Sequence, residues 1–200
     1  MPARLSMPGL VALLCLLSLP AAAHEQVGLA GGLVSGLLHP LTGLDHLVAM
    51  VAVGIWGTQL GSPAIWLLPI TFPLVMAVGG MLGVLGVPLP MTEIAIAASA
   101  IFLGGAVALA ARVPFWVAAV MVSFFAIFHG HAHGAELPRA ANPLAYGLGF
   151  VTATGCLHLC GIGIGVSLRS WLGMPVVRGM GAVIAALGVF FLYSSLAGEG

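Results

Sequence analysis

Two short stretches hold most of the residues capable of chemistry in this sequence. The first is HPLTGLDHLVAM, residues 39–50, where Asp45 stands beside His46 and six residues after His39. The second is FHGHAHGAELP, residues 128–138, with His129, His131, His133 and Glu136. Imidazole nitrogens suit divalent nickel, cobalt, copper and zinc, and carboxylates offset the charge of the ion. His129 and His133 are four apart, so they share one face of a helix, and Glu136 extends it. His131 points away from that face, toward water. In the first stretch, a nearly continuous helix would put His39 and His46 on one side, with Asp45 about 100° round the wheel from His46. Pro40 suits a helix start, and the positive end of the helix dipole favours an ionised Asp45 one turn in. The pattern reads as a metal site. The competing reading is a set of hydrogen-bonded polar residues that hold helices together.

Five further positions stand near these clusters or in the same apolar context. Glu93 opens the apolar run MTEIAIA and reads either as a helix N-terminal acid or as part of the site. His158 lies in CLHLC, sixteen residues after Asn142, roughly 24 Å along a helix. It is either a second-stage ligand or a histidine bonded to a neighbouring helix. Cys156 and Cys160 share a face that His158 does not, which suits packing or a thiolate pair. Phe72, in ITFP, reads as ordinary packing.

The elements that position these groups are membrane helices. Hydrophobic residues make up 61% of the 200 positions and charged residues only 5%, against about a quarter charged in a soluble domain. Such a chain cannot cover a water-facing surface. It has no lysine, so it can form neither a Walker A loop nor, with five arginines balanced by five acids, a basic face for nucleic acid. Residues 1–23 read as a secretory signal peptide, with an apolar run from Leu10 to Leu19 and Ala21-Ala22-Ala23 before the cut. The mature chain, 24–200, is one transmembrane domain beginning at His24-Glu25, whose free amine and imidazole would chelate a metal together.

A membrane crossing needs about 20 mostly apolar residues. The mature chain offers six, roughly 41–60, 64–86, 92–111, 114–133, 143–168 and 177–197. Residues 27–38 form a shorter lead-in or re-entrant piece that kinks at Pro40. The fold class is therefore all-α, a polytopic bundle of about six transmembrane helices after a cleaved signal. With the mature N-terminus outside, Arg112, Arg169 and Arg178 fall inside and Arg139 outside, which follows the positive-inside rule. The same topology puts Glu25, Asp45, Glu93, Glu136, Glu199 and six of the seven histidines at the outer end. Glycines four apart (Gly28, Gly32 and Gly36; Gly79 and Gly83; Gly161 and Gly165) let helices approach closely.

The sequence resembles the HupE/UreJ family of nickel and cobalt permeases along essentially its whole length. The resemblance rests on H-P-x-x-G-x-D-H, met by His39, Pro40, Gly43, Asp45 and His46. It rests equally on F-H-G-x-A-H-G-x-E, met by Phe128, His129, Gly130, Ala132, His133, Gly134 and Glu136. The first also looks like the His-Asp-His signature of the larger NiCoT nickel/cobalt transporters. The resemblance implies a multi-pass inner-membrane permease, not an enzyme, that takes up Ni²⁺ or Co²⁺ as substrate and holds no permanent cofactor. It implies that His39, Asp45, His46, Phe72, Glu93, His133 and Glu136 carry the function, and that a nickel enzyme such as hydrogenase or urease is supplied indirectly. The sequence leaves open a homo-oligomer, and also a rival class, a membrane metalloenzyme or haem protein whose histidines ligate from facing helices.

Overall fold

A computed structural model describes residues 28–137 and 142–198. The expected signal peptide, His24, Glu25, Arg139 and Glu199 lie outside the described residues. Those described form helices alone: α1 (Gly28–Thr42), α2 (Leu44–Leu60), α3 (Ala64–Val84), α4 (Thr92–Leu109), α5 (Phe115–Ala135), α6 (Pro143–Trp171) and α7 (Met174–Ala197). The five helices α3 to α7 are each long and apolar enough to cross a membrane, and the bent pair α1–α2 makes a sixth candidate. The chain is a multi-pass membrane bundle, and its helix bounds follow the six apolar runs within a few residues.

These helices carry no strong apolar stripe because hydrocarbon, not water, meets their outer faces. Trp66, Leu74, Phe124 and Phe190 point outward, while Ala49, Val53, Ile55 and Trp56 of α2 are buried at the centre. Polar side chains serve the backbone at the end of α4, where the last carbonyls of a helix lack partners. Trp56 Nε1 donates to the Ala111 carbonyl at 3.0 Å, Gln59 Nε2 to Val107 at 3.0 Å and Arg178 Nε to Ala108 at 2.7 Å.

Glycines set how closely helices approach, as their spacing predicts. On the seam between α3 and α5, a Cβ at Gly79 would strike the Ile127 carbonyl, and one at Gly130 or Gly134 would strike the Met76 or Gly80 carbonyl. Gly36 and Gly149 join α1 to α6 in the same way, Gly54 and Gly161 join α2 to α6, and Gly104 and Gly181 join α4 to α7. Three tightly welded groups result: α1, α2 and α6 together, α3 with α5, and α4 with α7.

The expected kink at Pro40 is not where the chain turns. Pro40 lies inside α1, and the helix runs on to Thr42 before an 83° bend at Gly43. Gly43 adopts extended backbone, with φ −88° and ψ 108°, and its missing Cβ matters more than any proline. A Cβ there would come within 3.1 Å of both Asp45 Oδ1 and His46 Nδ1. The continuous helix expected through His39 and His46 is therefore broken, and a corner rather than a shared face brings the two together.

Gly130→Ala is expected to destabilise the detergent-purified protein by about 1–3 kcal/mol, because α5 must shift off α3. Gly155→Ala, where no atom lies within 4 Å of the added carbon, is expected to be neutral. Equal melting temperatures for the two variants would count against the welded seam.

Candidate metal site

The corner at Gly43 positions a carboxylate against an imidazole. Asp45 Oδ1 accepts from the His46 backbone N–H at 2.8 Å and from His46 Nδ1 at 2.9 Å. A carboxylate can only accept here, so Nδ1 carries the proton and Nε2 keeps a bare lone pair. That Nε2 is buried and has no partner among the described residues. Metal-bound histidines are oriented in this way, with the second ring nitrogen donating to a carboxylate.

His133, near the end of α5, faces the corner from the other side. It is 4% exposed, and neither ring nitrogen has a partner. Its ring lies 4.2 Å from His46, 4.7 Å from His39 and 4.2 Å from Phe150, centre to centre. Glu136 caps α5 and meets His39 Nε2 at 3.1 Å. That hydrogen bond holds the Glu136 carboxyl below its ordinary value. One donor atom each from His39, His133 and Glu136 lie within 4.8 Å of one another. Donors about 2.1 Å from one tetrahedral ion stand about 3.4 Å apart, so the three must close by on the order of an ångström to share one.

These groups surround a cavity of about 240 Å³ lined by His39, Thr42, Gly43, Asp45, His46, Glu93, His133 and Glu136. The six acids and histidines come from four places: α1, the start of α2, the start of α4 and the end of α5. Glu93 thus joins the cluster, although its own sequence context did not distinguish it from an exposed helix-start acid.

The remaining candidates lie elsewhere. His129 shares a helical face with His133 but sits one turn deeper, fully buried, and does not line the cavity; its ring is 4.7 Å from His46. Phe72, also fully buried, is wedged edge-on between His129 at 5.5 Å and His158 at 5.4 Å. His158 is fully buried, with Nδ1 3.3 Å from the Pro69 carbonyl. His131 does not reach for water; its Nε2 donates to the Val87 carbonyl at 2.7 Å and pins the α3–α4 connection. Cys156 and Cys160 are free and exposed on the outer side of α6, so they do not pack within the bundle.

Sequence reading passed over Ser99 and Phe150. Ser99 accepts from His129 Nε2 at 2.8 Å while its own hydroxyl donates to the Ile96 carbonyl at 2.6 Å. A lone hydroxyl within the apolar run AIAASAIF was the available signal. Phe150 offered none beyond its size.

Asp45→Asn is expected to weaken nickel binding by the purified protein ten- to a hundredfold, the usual cost of losing an orienting carboxylate. Equilibrium dialysis measures it, and unchanged affinity would count against the Asp45–His46 pair as an oriented ligand.

Comparison with known proteins adds an independent finding. A family model described as HupE / UreJ protein matches residues 11–191. Protein HupE of Rhizobium leguminosarum bv. viciae is 47% identical over 180 residues, covering 90% of this chain and 94% of its own length. No solved structure matches the chain.

Proposed function

Because the chain belongs to the HupE / UreJ family, we propose that it is an inner-membrane permease that takes up divalent nickel, with cobalt as a second substrate. It moves an ion and transforms nothing. The observation that carries this reading is the convergence of three histidines and three carboxylates on one cavity in a bundle of apolar helices. Charged groups inside a membrane are costly, and they are kept for ion pathways and similar work.

The ion enters hydrated and exchanges water for donors. His39, His46 and His133 supply nitrogen, Glu136 supplies oxygen, Asp45 orients His46, and Glu93 adds negative charge at the rim. His24, at the start of the mature chain, gathers the ion before it enters. The carboxylates balance a dication that would otherwise be strongly disfavoured away from water. The orientation follows from charge: Arg112, Arg169 and Arg178 lie at the end opposite the cavity, which faces the cytoplasm under the positive-inside rule. The cavity and the mature N-terminus, left by removal of residues 1–23, then face the periplasm. Two positive charges moving inward through 100 mV gain roughly 4.6 kcal/mol, enough to drive uptake without nucleotide. A nickel enzyme in the cytoplasm is the beneficiary.

Cells carrying the chain are expected to accumulate radioactive nickel at least severalfold faster than cells without it, with excess cobalt lowering the rate. Equal accumulation in both would end this reading.

Uptake is also expected to fall as the outside is acidified from pH 7 to 5. Protons compete with the metal for imidazole lone pairs, so the metal is held less well as the outside becomes acidic. Glu136, held below its ordinary value by the hydrogen bond from His39, resists protonation better than a free carboxylate. Equal initial rates at the two pH values would contradict it.

A further inference from the structure

Below the cavity, the rings continue inward. His133, His46, His129, Phe72 and His158 follow one another with centres 4.2, 4.7, 5.5 and 5.4 Å apart. Two of these imidazoles are built as the cavity ligand His46 is built. Ser99 spends its only hydrogen on the Ile96 carbonyl, so it accepts from His129, whose Nε2 carries the proton and whose Nδ1 is bare. Pro73 has no N–H, which leaves the Pro69 carbonyl free within α3. His158 Nδ1–H donates to that carbonyl, and His158 Nε2 is bare. Both bare nitrogens are buried without a partner, as is the hydroxyl oxygen of Thr154, one turn before His158 on α6. Leaving one such atom unpaired costs about 1–3 kcal/mol. Two of them belong to the imidazoles on either side of the Phe72 ring, and a passing ligand would satisfy them.

We propose that His129 and His158 form an inner transit station for the permeating dication, with Thr154 beside it and the Phe72 ring as the barrier between its two halves. The inference rests on the metal-uptake reading above and extends it inward. The donors fit a soft-to-borderline divalent ion: two imidazole nitrogens in fixed tautomers and a hydroxyl oxygen. No carboxylate is among them, so binding is weak, as a step along a pathway requires if the ion is to leave. The outer cavity, with its acids, does the capturing, and the inner station hands the ion on.

His158→Asn tests this, because an asparagine amide can still donate to the Pro69 carbonyl but offers no lone pair where Nε2 lies. H158N is expected to melt within a few degrees of the parent, bind nickel in dialysis with affinity within twofold, and keep its KM for uptake. Its maximal uptake rate is expected to fall at least tenfold. H158A, which loses both contacts, is expected to match that rate. Uptake by H158N within twofold of the parent would reduce His158 to a packing hydrogen bond and overturn the inference alone. Loss of nickel binding together with uptake in H158N would also overturn it, by placing His158 in the outer site or in the fold. Failure of the unmodified chain to bind nickel would overturn the metal reading itself, and this inference with it.

Discussion

The grip of Asp45 on His46 is the interaction around which the molecule is arranged. A carboxylate at the head of a membrane helix is tolerable when it has a donor to hold, and here the donors are the next residue's own backbone and ring. That grip needs a corner with no side chain in the way, and Gly43 supplies it. The corner folds α1 back across the mouth of the bundle, which carries His39 to Glu136. Once His39 and His46 are placed, His133 fills the space between them. One short hydrogen-bonded pair thus fixes the mouth of the cavity from two sides.

The sequence made much of this legible, and the places where it failed have physical reasons. Apolar runs bounded by proline, glycine and arginine located the helices, because hydrocarbon thickness sets their length regardless of partners. The acid–histidine spacing located the cavity residues. The bend was misplaced because proline is the usual helix breaker, whereas the determining fact, crowding by Asp45 and His46 at residue 43, is three-dimensional. His129 and His133 share an angular position, but four residues of helix separate them by about 6 Å in depth. Angular reasoning merges two layers that the bundle keeps distinct. Phe72 acquires meaning only from histidines on α5 and α6, and nothing within ITFP points to either.

Second ring nitrogens fix which lone pair each of these histidines presents. His46, His129 and His158 each give one nitrogen to a fixed acceptor: a carboxylate, a hydroxyl and a proline-freed carbonyl. His131 gives its Nε2 to a loop carbonyl at the surface end of α5 and serves the fold. Four histidines anchored in the same way are sorted into different tasks by where the bundle places them: three along the file of rings, and His131 at the α3–α4 connection.

The glycine seams divide the bundle into three stiff bodies, and the polar residues are distributed among them without a repeat of partners. His39, Asp45, His46 and His158 ride on the body of α1, α2 and α6; Phe72, His129, His133 and Glu136 on that of α3 and α5; Glu93 and Ser99 on that of α4 and α7. An ion held in the cavity is therefore a rivet through separate plates. Cargo and clasp would then be the same object.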